Sequence, residues 1–114
     1  MLPPEVCKYL YDVREACLRI REFTEGKTVD AYLADPLLRS AVERQFEIIG
    51  EALRQLLKMD PSLASSISDC KKVIAFRNIL IHGYAEIDDE VVWGIVEKNL
   101  PLLTKEIGDL LHTA

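Results

Sequence analysis

The chain has 114 residues, of which 49% are hydrophobic and 29% are charged, and its net charge is −5. This length predicts a single domain, residues 1–114, that is large enough to bury a hydrophobic core without disulfides or metals. Helix-favouring residues dominate and aromatic residues make up only 7%, which argues against an all-β sandwich, a disulfide scaffold and a disordered tail.

The acidic excess lies at one end of the chain. Residues 86–114 carry seven acidic and two basic side chains, whereas the two signs balance over residues 1–85. This charge argues against a protein that coats nucleic acid by charge alone, but it is compatible with a small local site for a few phosphates.

Apolar residues recur at helical spacing through the first half of the chain. A helix is predicted from after Pro3-Pro4 to about Phe23, with Gly26 as its stop. Thr28 is expected to cap a short helix over 29–34, and Asp35-Pro36 to open the longest helix, 36–58. The apolar stripes of the two long helices consist of Val6, Leu10, Val13, Cys17 and Ile20 in the first, and of Leu38, Val42, Phe46, Ile49, Leu53 and Leu56 in the second.

The second half continues the same pattern. Residues 62–66 are predicted to be a connecting turn, and a third long helix is predicted over 67–82, ended by Gly83. Asp88 is expected to cap a last helical region that reaches Leu110 and is kinked or restarted at Pro101. The sequence therefore predicts an all-α fold, an antiparallel bundle of four or five helices. The wide apolar stripes favour a homodimer, which would bury the apolar surface that a single chain leaves exposed.

The sequence also bears on compartment and cofactors. No apolar run approaches the ~20 residues of a membrane span, and the first residues do not resemble a signal peptide. Cys7, Cys17 and Cys70 form no C-x-x-C pair and are expected to be reduced. We therefore expect a cytoplasmic protein with no membrane partner. Because His and Cys show no metal-ligand spacing, no metal and no cofactor are predicted.

Four polar residues interrupt the apolar end of the third long helix: Arg77, Asn78, His82 and Tyr84. Asn78 and His82 are four apart and share a face, so the Asn78 amide is placed to orient the imidazole. Arg77 and His82 are five apart and diverge by about 140° around the helix axis. A joint site would therefore need a bent helix end or a second subunit.

These residue types suit phosphate chemistry. The partial negative charge at a helix C-terminus favours the imidazolium form of His82, and Arg77 offers a planar fork of donors. Together they would suit metal-free RNA cleavage by the neighbouring 2′-hydroxyl. A helix cap and a surface ion pair are the alternative roles of this histidine and this arginine. Taken alone, the residues favour these structural roles.

The string Arg77-x4-His82-x-Tyr84 resembles the R-x4-H-x-Y signature of HepT-type proteins in the HEPN superfamily. Segments 35–38, 46–52 and 92–101 are also similar to HepT segments at matching distances. The resemblance covers nearly the whole chain. It implies an all-helical, HEPN-like homodimer in which two such motifs face one cleft at the two-fold axis.

The same resemblance implies a function. HepT-like proteins are metal-independent endoribonuclease toxins of a toxin–antitoxin pair, and a minimal nucleotidyltransferase antitoxin, MntA, silences them by transferring AMP to the motif tyrosine. Carried over, Arg77 and His82 would be catalytic, Asn78 would support the site, and Tyr84 would accept AMP. The alternative role of Tyr84 is packing over the helix end.

Few basic residues accompany the motif. Lys71 and Lys72 are the candidates for RNA binding, and with Arg77 a dimer would present six positive charges, enough for a short single strand. Two other functions stay open. One is a catalytically inactive HEPN dimer that binds a nucleotide or an antitoxin, and the other is a purely structural helical dimer.

Overall fold

The computed structural model describes residues 2–113, with the side chain of Tyr84 excepted. Within these residues the chain forms seven α-helices and no strand, so the all-α class is confirmed. A single 3₁₀ turn, Tyr84–Glu86, separates the fifth helix from the sixth. The helices are α1 (Pro4–Thr24), α2 (Val29–Ala34), α3 (Pro36–Met59), α4 (Pro61–Ser65), α5 (Cys70–His82), α6 (Asp89–Lys98) and α7 (Leu100–His112).

Side-chain caps fix the starts of α2, α3 and α6, as predicted. Thr28 Oγ1 accepts from the N–H of Ala31 at 3.2 Å, and Asp35 Oδ1 accepts from that of Leu38 at 3.1 Å. Asp88 caps α6 in the same way, with 3.0 Å to the N–H of Glu90. Each cap satisfies a backbone donor that the first turn of a helix leaves unpaired.

Two boundaries differ from the prediction. The segment expected to be a turn forms α4 instead, because the Asp60 carboxylate accepts from the Leu63 N–H at 3.0 Å and Pro61 is suited to a first turn. The next helix begins at Cys70 rather than at residue 67, because the hydroxyl and N–H of Ser68 bind the Glu106 carboxylate and form a turn there. The helix count consequently exceeds the predicted four or five.

The core lies between the two longest helices. The apolar stripes predicted for α1 and α3 are buried in full. α1 packs against α3, α3 also packs against α5, and α7 packs against α1, while α6 contacts both α2 and α7. Gly50 of α3 contacts Arg77 of α5, while Leu57 shares a groove with Lys71. These two helices therefore run antiparallel, as predicted.

α5 is the helix that matters for the candidate site. It packs mainly against α3, and its fully buried residues are Cys70, Val73 and Leu80. Its outer face is open, and Ile79 on that face is 46% exposed. In the described part of the chain, no helix combines the length and the hydropathy needed to cross a membrane.

Candidate active site

Arg77 lies where α5 passes close to the backbone of α3 at Gly50. A Cβ atom added to Gly50 would lie 2.2 Å from the Cβ and 2.6 Å from the Cγ of Arg77, so only glycine fits under this side chain. The arginine stem therefore rests directly on the α3 backbone. This role of Gly50 was not predicted from the sequence. Its signal was a lone glycine inside an amphipathic helix, a position that often has a packing reason.

The guanidinium of Arg77 has one neighbour on each helix. Nη2 is 3.1 Å from Oε2 of Glu51, and Nη1 donates to Oδ1 of Asn78 at 3.2 Å. Nε is buried and has no hydrogen-bond partner among the described residues. With its side chain 20% exposed, Arg77 is held at the helix junction and still reaches solvent.

Glu51 is the second residue that sequence analysis missed. Its carboxylate accepts from Nε and Nη2 of Arg54 at 3.2 and 3.0 Å, and from Nε2 of Gln55 at 3.0 Å. These hydrogen bonds, together with the positive charges of Arg54 and Arg77, lower the pKa of Glu51 to about 2. The carboxylate is therefore ionised throughout the physiological range.

Asn78 contacts a different partner from the one expected. The predicted hydrogen bond to the imidazole is absent from the described contacts, and the amide oxygen accepts from Arg77 instead. The physical reason is that the guanidinium of Arg77, one residue earlier in the chain, already donates to this oxygen. Among the described contacts Asn78 therefore binds the arginine and not the histidine.

His82 is the last residue of α5 and is exposed. The N–H of Gly83 closes the helix by donating to the Ile79 carbonyl at 2.8 Å. Arg77 contacts Glu51 of α3, whereas His82 lies exposed at the helix end. Among the described contacts, no hydrogen bond joins the two motif residues.

The other predicted site residues lie apart from the motif or outside the description. Lys71 and Lys72 are exposed in the first turn of α5 and border a groove of about 390 Å³ with α4. At 1.5 Å per residue they are roughly 15 Å from His82 along the helix. Tyr84 follows the helix end in the 3₁₀ turn, and its side chain lies outside the described residues.

The described residues contain no group of three or more His, Cys, Asp and Glu side chains placed to hold a metal ion. What the helix does offer is a cation held against α3 and an imidazole at the solvent-exposed end. In general, a guanidinium can bind a phosphate and an imidazole can transfer a proton.

Comparisons with known proteins cover nearly the whole chain. A family model described as "Ribonuclease HepT-like" matches residues 13–110. "Putative RNase MJ1380" from Methanocaldococcus jannaschii is 34% identical over 103 residues, which is 90% of this chain and 94% of that protein. "Probable ribonuclease HepT" from Thermococcus cleftensis is 35% identical over 95 residues, 83% of this chain and 86% of that protein. No solved structure matches the chain.

Proposed function

Because the chain belongs to the HepT-like ribonuclease family, we propose that it is an endoribonuclease toxin whose reaction depends on Arg77 and His82. The observation that carries this proposal is their arrangement on α5. The arginine is fixed against α3, and the histidine is exposed at the helix end. Asn78 supports the site through its hydrogen bond to Arg77.

The proposed reaction needs no metal ion. The 2′-oxygen of a ribose forms a bond to the adjacent phosphorus while the bond from phosphorus to the 5′-oxygen breaks. His82 accepts the proton of the 2′-hydroxyl and returns a proton to the departing 5′-oxygen. Arg77 stabilises the extra negative charge of the phosphorane. The products are a 2′,3′-cyclic phosphate and a 5′-hydroxyl.

A homodimer is part of this proposal. Arg77 and His82 diverge in one protomer, and the open face of α5 carries Ile79, which a second copy would cover. Two copies facing each other would place the arginine of one beside the histidine of the other. Lys71 and Lys72 would then extend the positive surface along a single-stranded RNA. Light scattering at micromolar concentration should show a dimer, and a monomer that cuts RNA would contradict this site.

The cleavage experiment compares point variants on a fluorescent single-stranded RNA in the presence of EDTA. Arg77→Ala and His82→Ala should each lose activity, by ~10²–10⁴-fold for the proton-transfer group. His112→Ala is the matched control, because this second histidine is exposed at the far end of α7. Activity that disappears in EDTA and returns with magnesium would contradict the metal-free mechanism.

We further propose that an MntA-type nucleotidyltransferase antitoxin silences the protein by transferring AMP to Tyr84. The backbone of Tyr84 directly follows the end of α5, and the next residues, Ala85 and Glu86, are exposed. Co-expression with the antitoxin should add AMP to the peptide that contains Tyr84, as read by mass spectrometry, and Tyr84→Phe should stay unmodified. Neutralisation of the wild-type toxin without this modification would show control by binding alone.

One observation favours a second function, a catalytically inactive dimer that binds a nucleotide or an antitoxin. Arg77 is already next to a carboxylate, that of Glu51, in the described structure. If this pairing keeps the arginine from RNA, the protein would bind without cutting. Binding of AMP or of the antitoxin by a wild-type protein that cuts no RNA would support this alternative.

A further inference from the structure

We propose that Glu51 is a positioning residue that holds the Arg77 guanidinium at the junction of α3 and α5 in the orientation needed for an RNA phosphate. The inference deepens the proposed function, since it rests on Arg77 meeting that phosphate. Glu51 would act through Arg77 and would not touch RNA itself.

Three contacts restrict the movement of the Arg77 side chain. The stem lies against Gly50, which has no side chain of its own to hold α5 away from α3. Nη1 is bound to Asn78 on α5, and Nη2 is 3.1 Å from Glu51 on α3. Contacts at both terminal nitrogens, from two different helices, determine the plane of the guanidinium. A long side chain that is otherwise flexible is thereby preorganised.

The pairing leaves the arginine able to bind a phosphate. The hydrogen bonds accepted by Glu51 come from Arg54 and Gln55, whereas Arg77 is a close ionic neighbour of this carboxylate. Of the five N–H donors of an arginine, one is hydrogen-bonded here, to Asn78. Glu51, Arg54 and Arg77 together carry a net charge of +1. The carboxylate therefore orients the arginine without cancelling the attraction of the site for a phosphate.

Glu51→Gln tests this role, because the amide keeps the shape of the side chain and removes its charge. In the RNA-cleavage assay kcat should fall by ~10–100-fold, the range expected when a catalytic group is misplaced, and KM should change much less. Glu97→Gln is the matched control, because Glu97 is exposed on α6 and does not line the groove that Arg77 shares with Glu51. Its kcat should equal that of the wild type.

A double variant separates positioning from general stabilisation. In an Arg77→Ala background, Glu51→Gln should cause no further loss, since the residue through which it acts is missing. A further fall of the same size would contradict the proposal. A Glu51→Gln single variant that cuts at the wild-type rate would also overturn it, and one that cuts faster would show that the carboxylate inhibits the reaction.

A second measurement keeps this inference separate from the proposed function. The Nε–H of Arg77 is buried, so its hydrogen exchange, followed by NMR on ¹⁵N-arginine-labelled protein, should be slow. It should become faster in Glu51→Gln and stay slow in Glu97→Gln. A wild-type protein that cuts no RNA would refute the proposed function alone. Unchanged exchange in Glu51→Gln would refute the positioning role, whatever the activity.

Discussion

The close approach of α3 and α5 at Gly50 leads to a quantitative prediction for Gly50→Ala. Helix propensity alone favours alanine over glycine in a helix interior by ~1 kcal/mol. The added Cβ would, however, lie 2.2 Å from Arg77 Cβ, whereas carbon atoms in contact are ~3.5–4.0 Å apart. A Cβ atom cannot rotate away, so α5 must move outward by more than about 1 Å.

The steric cost should exceed the propensity gain. Overpacking typically costs ~1–3 kcal/mol, and this contact lies at the upper end because it involves the first two carbons of a side chain facing a backbone. After the gain in propensity, we expect a net loss of about 2 kcal/mol. For a domain of this size that corresponds to a fall in Tm of roughly 10 °C. RNA cleavage should fall as well, because Arg77 moves with α5.

Thermal unfolding followed by circular dichroism measures this effect, at one protein concentration because a dimer is proposed. Gly108→Ala is the matched control, since a Cβ at this position in α7 meets no atom within 4 Å. This variant should gain up to ~1 kcal/mol, so the two substitutions should shift Tm in opposite directions. A Gly50→Ala protein as stable as the wild type would refute the reasoning, because α5 could then move away without cost.

Three further predictions concern stability. The depressed pKa of Glu51, about 2 against an ordinary 4.5, means that its contribution is fully present above pH 4.5 and is lost as the pH falls towards 2. In urea unfolding near pH 6, the unfolding free energy of the wild type should therefore exceed that of Glu51→Gln by up to ~1 kcal/mol. The difference is small because the side chain is partly exposed. A difference that persists at pH 2 would contradict this assignment. Tyr32→Phe should leave the unfolding free energy unchanged or raise it by up to ~1 kcal/mol, because the buried hydroxyl has no partner among the described residues; a clear loss would reveal a hydrogen bond. Asp35→Ala should cost ~1 kcal/mol of unfolding free energy through the lost cap of α3, whereas Asp35→Asn, which keeps an acceptor oxygen, should stay close to the wild type.

Features that depend on near neighbours in the chain were predictable. The caps at Thr28, Asp35 and Asp88 join atoms two or three residues apart, so the sequence contains both partners of each contact within one short segment. The buried stripes of α1 and α3 follow from helical periodicity in the same way. The start of α5 was misplaced, because it depends on the contact between Ser68 and Glu106, which are far apart in sequence.

The same distinction applies to the candidate site. By itself the sequence determined that Arg77 and His82 occupy the end of one helix and diverge around it, since the helical repeat sets the angle between them. Only the tertiary structure decided which side of α5 meets α3, and therefore that Arg77 is seated on Gly50 beside Glu51 while His82 is exposed. The physical reason is that helical periodicity relates residues of one helix to each other, whereas the packing of two helices depends on where their surfaces allow the closest approach.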